Sequence, residues 1–304
     1  GIAYVPEDRK NLGLNLLDTI RRTTTTGTTT TGTTTTEPTG TGAAGTRPAR
    51  GPGRAGRRPA SRESHREVLE RLRSAQKQAA RSAPAYSRFV NRRLGRHLAA
   101  WAYRAGLTPD QVTGLSALAT FTGVALLAVL PAGVVQAVAV TACLVLGYAL
   151  DSADGQVARL TGTGSSAGEW LDHVVDAVKI VTLPVALLVG MHVHGWADPV
   201  WAVVPLVHVV VGSVLFFAMI LTEQLRRAHG VRSTAATGGR APWLRSLLVA
   251  PTDYGVLCLS FLLLAVPGAF LVVYAVLVGC TAAFTAAAAR KWYREMRALA
   301  NAPV

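Results

Sequence analysis

Residues 133–158, GVVQAVAVTACLVLGYALDSADGQVA, form a long apolar run that ends in two aspartates. The run is long enough to cross a hydrocarbon core of ~30 Å, which needs about 20 helical residues. Further apolar stretches occupy residues 110–130, 168–193, 199–222, 252–266 and 268–289. The sequence therefore predicts an all-α integral membrane protein with six transmembrane helices, of which the segment at 252–266 is the shortest.

The composition also favours a membrane protein. The chain has 304 residues, of which 50% are hydrophobic and 16% are charged, whereas soluble domains have about 25% charged residues. These values exclude a wholly disordered chain. The net charge of +14 comes almost entirely from residues 1–104, so a basic arm precedes a nearly neutral apolar body. The three isolated cysteines predict neither a disulfide framework nor a zinc site.

Residues 1–62 are predicted to be a disordered basic arm. Residues 23–46 are almost entirely Thr and Gly, and residues 47–62 alternate Arg with Gly, Pro and Ala. Such segments cannot bury enough apolar surface to offset the entropy lost on ordering. No aromatic side chain is interleaved with these arginines to stack on bases, so we expect an anionic membrane surface rather than a nucleic acid as the partner.

Residues 1–22, GIAYVPEDRKNLGLNLLDTIRR, resemble a short piece of the nucleotide-binding domain of sugar ABC transporters. No G-x-x-x-x-G-K-[ST] phosphate loop occurs in the chain, so we expect no ATPase function. We expect that these residues are not the native start of the protein.

Residues 63–108 are predicted to form a charged helix and then an interfacial amphipathic helix. Within residues 85–106, apolar side chains recur at helical spacing opposite a face of arginines. The apolar positions are Val90, Leu94, Leu98, Trp101 and Ala105. A stripe with Trp opposite an Arg-rich face is typical of a helix that lies in the membrane interface. Thr108, Pro109 and Gln111 then form a helix-start signature.

Basic residues alternate between the links of the predicted membrane domain, residues 109–290. The links near 131–133, 193–199 and 266–268 carry no Lys or Arg, whereas the link 223–249 and the tail 291–304 carry several. Lys and Arg are enriched in cytoplasmic links. We therefore expect a multi-pass protein of the cell membrane with both termini in the cytoplasm.

Four aspartates are predicted to meet at the cytoplasmic side. Asp151 and Asp154 share one stripe of the second span, and Asp172 and Asp176 share one stripe of the third. The polar linker LTGTGSSA turns the chain back between these spans. Mutual repulsion of clustered carboxylates requires cations among them, and hard oxygen ligands suit Mg²⁺ or Mn²⁺.

The pattern of residues 151–176, D-x2-D-G-x2-A-R-x8-G-x3-D-x3-D, resembles the signature of the CDP-alcohol phosphotransferases at all eight defined positions. The resemblance implies a metal-dependent membrane enzyme of phospholipid biosynthesis. Such an enzyme moves a phospho-alcohol or phosphatidyl group from a CDP-alcohol to an acceptor hydroxyl and releases CMP. It also implies six spans around a polar cavity open to the cytoplasm, and usually a homodimer.

The resemblance further implies roles for individual residues. Two metal ions would be held by Asp151, Asp154, Asp172 and Asp176, and Asp176 would also take the proton from the acceptor hydroxyl. The residues implied to contact CDP are Gly155, Ala158, Arg159, Gly168 and Thr113. Thr113 belongs to an element in which the family has a Pro-Asn-x-x-Thr-like pattern, and Asp110 replaces the Asn here.

Some assignments have alternatives that the sequence leaves open. Arg226, Arg227 and Arg232 could hold an acceptor phosphate, or they could be topology charges. Lys179 could neutralise the carboxylates or contact a ligand. The acceptor could be a diacylglycerol or a phosphorylated soluble alcohol.

Two other functions are compatible with an acidic cluster in a membrane protein. An Asp-rich membrane prenyltransferase would normally carry two acidic clusters, and only one is present. A divalent-cation transporter would be expected to place its ionisable residues near mid-membrane and often to show internal repeats, whereas the aspartates here are predicted to cluster at one face and the sequence shows no repeat.

Overall fold

The computed structural model describes residues 63–74, 86–231 and 250–300, and all regular elements in these ranges are helical. The predictions for the arm at residues 1–62 and for Arg232 lie outside these ranges. The described ranges contain all six predicted spans and parts of the predicted charged and interfacial helices at residues 63–108.

The described residues form eight α-helices. The helices are α1 (His65–Ser74), α2 (Arg92–Arg104), α3 (Pro109–Val129), α4 (Val134–Thr161), α5 (Ser166–His194), α6 (Val203–Ala228), α7 (Tyr254–Ser260) and α8 (Pro267–Ala300). A π-helical turn at Ser87–Asn91 precedes α2. 3-10 turns occupy Pro199–Ala202, Ala250–Thr252 and Phe261–Ala265.

Five of the described helices are long and apolar enough to cross a membrane. They are α3, α4, α5, α8 and the helix formed by α6 with the turn before it. The segment predicted as the fifth of six spans is shorter: it comprises α7 and the turn after it, Tyr254–Ala265. At the usual rise per residue this segment is about 20 Å long. The chain is thus a multi-pass membrane protein by length and composition, with one short apolar segment between its last two long helices.

The predicted start of α3 is confirmed. Thr108 is the N-cap, its hydroxyl accepts the backbone N–H of Gln111 at 3.2 Å, and the Gln111 side chain accepts the backbone N–H of Thr108 at 2.9 Å. Pro109 occupies the first helical position, where a missing N–H has no consequence. This reciprocal cap fixes the end of α3 that lies next to the aspartates.

Helix α3 packs along both α4 and α5. The crossing with α4 is close because Gly147 has no side chain there: a Cβ at this position would lie 2.1 Å from Thr120 Oγ1 and 3.2 Å from the Ser116 carbonyl oxygen. The Ser116 hydroxyl also donates to the Gly147 carbonyl at 2.9 Å. This contact sets the separation of α3 and α4 just above the aspartates.

The apolar core consists of two clusters. One contains the first halves of α4 and α8, the second halves of α3 and α5, and the segment after Cys258. The other joins α1 and α2 to the second half of α4. The second cluster therefore lies at the end of the bundle where α4 ends and α5 begins, which we call the acidic end.

Two contacts show that α6 and α8 run in the same direction. His208 Nδ1 lies 2.6 Å from Tyr274 Oη near the start of both helices. Arg226 pairs with Glu295 near the end of both helices. The chain between α6 and α8 must therefore return along the bundle, and Tyr254–Ala265 is the described segment that lies between them in sequence.

Helix α2 rests on α4 through small residues. Gly95, Ala99 and Ala102 are buried, whereas Leu94 and Trp101 are 42% and 50% exposed. Small side chains permit a close approach of the two helices, whereas Leu94 and Trp101 point away from the bundle. Of the predicted stripe of α2, these two residues are thus outside the protein core, while Leu98 packs against the second cluster.

Candidate active site

The turn between α4 and α5 brings the aspartates of the two helices together. Gly162 ends α4 in a left-handed conformation, with φ of 68°, and the Ser165 hydroxyl caps α5 by accepting the backbone N–H of Gly168 at 3.0 Å. Gly162 is thus a common type of helix C-cap, and Ser165 is a common type of N-cap. They confirm that the polar linker turns the chain back.

Three carboxylates from this hairpin form one cluster. Asp151, Asp172 and Asp176 each offer an oxygen, and these oxygens lie within 4.8 Å of one another. Asp151 and Asp176 are buried, with 6% and 7% of their surface exposed. This three-carboxylate cluster could hold a metal ion. Its donors are all hard oxygen atoms, which fits Mg²⁺ or Mn²⁺ and does not fit a soft-metal site.

Asp154 is turned towards α3 and is not one of the three residues in the cluster. The Thr113 hydroxyl lies 2.6 Å from Asp154 Oδ2 and donates to it, and the backbone N–H of Gly155 donates to Asp154 Oδ1. Both Thr113 and Asp154 are buried. The sequence predicted that these two residues serve the site, and the structure places them in direct contact.

A lysine lies among the clustered carboxylates. Lys179 Nζ is 3.0 Å from Asp151 Oδ1 and 3.2 Å from Asp176 Oδ1, and it is also 3.4 Å from the Ser116 hydroxyl. The lysine is 6% exposed. In the structure, Lys179 is a counter-charge for these carboxylates, which is one of the two interpretations that the sequence left open.

Of the two glycines of the motif, Gly168 lies at a tight contact with its neighbours, whereas Gly155 has room for an ordinary contact. A Cβ on Gly168 would come within 2.9 Å of Asp110 Oδ1, and one on Gly155 would come within 3.5 Å of an Arg159 guanidinium nitrogen. Ala158 is buried. The residues predicted to contact CDP therefore border the acidic end on α3, α4 and α5.

A comparison of the sequence with models of known protein families agrees with this geometry. A family model described as CDP-alcohol phosphatidyltransferase matches residues 107–288. The chain belongs to this family. No curated protein was found to match the chain. The match begins just before the cap of α3 and ends within α8, so it includes α3 to α7 and the greater part of α8.

Two of the arginines proposed for the acceptor are paired with glutamates in this family member. Arg226 contacts Glu223 and Glu295. Arg227 Nη1 lies 3.1 Å from Glu169 Oε1 and also contacts Glu223. The arginines thus join α6 to α5 and α8 at the acidic end.

Aromatic residues next to the cluster were not predicted from the sequence. A cavity of about 20 Å³ is lined by the cluster residues Asp151 and Asp176 together with Lys179, Tyr148 and Tyr254. The two tyrosine rings pack edge to face with centroids 5.1 Å apart. Tyr148 precedes Asp151 by three residues, so its helical spacing was a signal; Tyr254 is distant in sequence and gave none.

Proposed function

We propose that this protein transfers a phospho-alcohol or phosphatidyl group from a CDP-alcohol to an acceptor hydroxyl and releases CMP. The observation that carries the proposal is the convergence of Asp151, Asp172 and Asp176 on one point. Family membership supports the transferase class and a CDP-alcohol donor. The product would be a phosphodiester of phospholipid metabolism.

The carboxylates of α4 and α5 are proposed to hold two divalent ions, Mg²⁺ or Mn²⁺. Asp151, Asp172 and Asp176 would hold the ions, and Asp154 would complete the set from its position beside Thr113. Bound divalent ions would neutralise charge on the diphosphate and on the entering and leaving oxygens. The all-oxygen donor set supports this choice of metal.

Asp176 is proposed as the general base. Its carboxylate would accept the proton of the acceptor hydroxyl, the hydroxyl oxygen would form a bond to the phosphorus that carries the donor alcohol, and the bond from that phosphorus to CMP would break. Burial of Asp176 supports the role because water is kept away from the proton being transferred. Asp176 projects from a helix packed on α3, which fixes its position.

The CDP moiety is proposed to lie over the acidic ends of α3, α4 and α5. Arg159 supplies a planar cation that suits a phosphate, and Gly155 allows close approach of the ligand to α4. Gly168 and Ala158 would provide room in the same way. Thr113 is proposed to act by holding Asp154, through the hydrogen bond at 2.6 Å.

The ion pairs of Arg226 and Arg227 with glutamates help to identify the kind of acceptor. An acceptor phosphate at these arginines would have to compete with Glu169, Glu223 and Glu295. The pairs therefore favour the interpretation of these arginines as structural and topological charges. We propose an acceptor without a phosphate group, such as a diacylglycerol, ahead of a phosphorylated soluble alcohol.

The same proposal includes the arrangement in the membrane. The parallel course of α6 and α8 supports a crossing by Tyr254–Ala265, which gives six spans with both termini in the cytoplasm. The exposed Leu94 and Trp101 support an interfacial position for α2. The homodimer and the cell-membrane location are proposed from the sequence and the family resemblance.

A substrate panel tests the proposal. Purified protein with Mg²⁺ is given CDP-diacylglycerol, CDP-choline or CDP-ethanolamine, each with diacylglycerol, inositol phosphate or glycerol phosphate, and CMP and lipid products are identified by mass spectrometry. The proposal predicts stoichiometric CMP and phosphodiester from at least one pair. Absence of CMP from every pair, with release of pyrophosphate from prenyl diphosphates supplied in separate reactions, would contradict it.

A further inference from the structure

We propose that Lys179 is a resident counter-charge that keeps the three carboxylates together before a divalent ion arrives and then opposes the binding of that ion. The inference rests on the metal-binding part of the proposed function. It makes Lys179 a positioning residue that sets the Mg²⁺ concentration at which the site fills.

The contacts of Lys179 support the first part of the inference, that it holds the carboxylates together. Its ammonium contacts Asp151 on α4 and Asp176 on α5, at 3.0 and 3.2 Å. It is therefore a cross-link between the two helices that carry the cluster. Helices α4 and α5 are each packed on α3, and Lys179 bridges their acidic ends with a charge.

Burial shows why such a charge is needed. Lys179, Asp151 and Asp176 are each less than 10% exposed, so water screens their charges only weakly. Without a cation, the carboxylates would repel one another and separate or take up protons. A buried lysine in contact with two of them reduces this penalty when no divalent ion is present.

The position of the Lys179 ammonium supports the second part of the inference, that it opposes the binding of a divalent ion. Two of the three carboxylates that could hold a metal ion are the same carboxylates that contact Lys179. A divalent ion bound by them would lie within a few ångströms of the ammonium. Even at the dielectric constant of water, a unit charge and a divalent ion ~6 Å apart repel enough to weaken binding about tenfold.

The expected behaviour differs from that of a lysine that only stabilises the fold. Removing the charge should lower the melting temperature of the metal-free protein, because repulsion is no longer offset. The same change should make Mg²⁺ bind more tightly and stabilise the protein by more degrees. A purely structural lysine would lower the melting temperature without lowering the Mg²⁺ concentration for half-saturation.

The test is a Mg²⁺ titration of the melting temperature in detergent micelles, without substrate. Wild type is compared with Lys179→Met, Lys179→Arg and the control Lys291→Met, which removes a lysine whose side chain is 71% exposed. We expect half-saturation of Lys179→Met at about tenfold less Mg²⁺ than wild type. Lys179→Arg and Lys291→Met should stay within about twofold of wild type.

Each outcome bears on the inference even if no turnover is found. Recovery of Lys179→Met only when Mg²⁺ is present during purification would support it, because the ion would then replace the lost charge. Equal or weaker Mg²⁺ binding by Lys179→Met would overturn it. Failure to recover this variant even with Mg²⁺ would also overturn it, since the ion and the lysine would not be exchangeable. Failure of the substrate panel with a normal titration result would reject the reaction and leave the role of Lys179 standing.

Discussion

Asp154 and Asp176 come from one sequence motif but have different surroundings. Asp176 is in the three-carboxylate cluster, whereas Asp154 accepts hydrogen bonds from Thr113 and the Gly155 backbone. Helical spacing predicted which stripe each aspartate occupies. It could not predict the rotation of Asp154 towards α3, because that depends on how closely α3 and α4 pack.

Lys179 shows a similar limit at the residue scale. It follows Asp176 by three residues, so the spacing placed it beside the acidic stripe. The choice between counter-charge and ligand contact needed its distance to Asp151 on the other helix, which no local pattern contains. Tyr254 could not be predicted at all because it lies 78 residues beyond Asp176, the last residue of the motif.

Replacement of Asp176 by Asn tests the proposed base. The amide cannot accept the proton from the acceptor hydroxyl, so we expect CMP release to fall by about 100-fold or more. Asp198→Asn is the matched control, since Asp198 is an exposed cap of the turn at Pro199–Ala202. Turnover by Asp176→Asn near the wild-type rate, with an unchanged melting temperature, would remove Asp176 from this role.

Loss of the Thr113 hydroxyl should weaken the reaction without unfolding the protein. A hydrogen bond to a charged group contributes about 1.5–3 kcal/mol, so we expect Thr113→Ala to lower kcat/KM by roughly tenfold to 100-fold. Thr113→Ser should retain most of the activity. Thr122→Ala serves as the control, because the Thr122 hydroxyl is on the same helix but donates to the Leu118 carbonyl. Equal activity of the Thr113→Ala and Thr122→Ala variants would refute the role of the hydrogen bond.

At the scale of elements, the sequence predicted the helices better than their packing. Apolar length and caps placed α3, α4 and α5, including the cap at Thr108. The sequence interpretation of α2 considered only its large apolar stripe, whereas α2 packs on α4 through Gly95, Ala99 and Ala102. Small residues have little hydrophobicity, so periodicity alone does not show that they form a contact surface.

Gly147 is expected to be essential to the contact between α3 and α4. Its missing side chain lets Thr120 and the Ser116 carbonyl approach, so Gly147→Ala should destabilise the protein by about 1–3 kcal/mol. The control is Gly279→Ala on α8, where a Cβ would meet nothing within 4 Å. Thermal unfolding in the same detergent measures both variants, and a Gly147→Ala variant as stable as the control would show that the crossing tolerates a side chain.

At the scale of the whole molecule, charge alternation and tertiary contacts support one topology by independent routes. The links without Lys or Arg all fall at the end of the bundle opposite the acidic end. The contacts of His208 with Tyr274 and of Arg226 with Glu295 require α6 and α8 to run in parallel. The apolar segments could be counted from the sequence. The sequence could not show that the long helices before and after the short segment Tyr254–Ala265, α6 and α8, run in the same direction.

Single-cysteine labelling in cells tests this arrangement. With the three native cysteines replaced, Asp198→Cys and Val266→Cys should react with a membrane-impermeant maleimide, because both positions lie outside the cytoplasm in a six-span topology. His229→Cys should react only after permeabilisation. Protection of Val266→Cys together with His229→Cys would show that Tyr254–Ala265 does not cross the membrane.

The central claim is that Asp151, Asp172 and Asp176 hold a divalent ion against the diphosphate of a CDP-alcohol. Phosphorus electron–nuclear double resonance of the full-length protein loaded with Mn²⁺ measures this contact directly, with CDP-diacylglycerol and CDP-ethanolamine in separate samples. The account predicts a ³¹P coupling typical of direct Mn²⁺–phosphate coordination for at least one donor, and loss of that coupling in Asp172→Asn. Protein-bound Mn²⁺ without phosphorus coupling to either donor would contradict it.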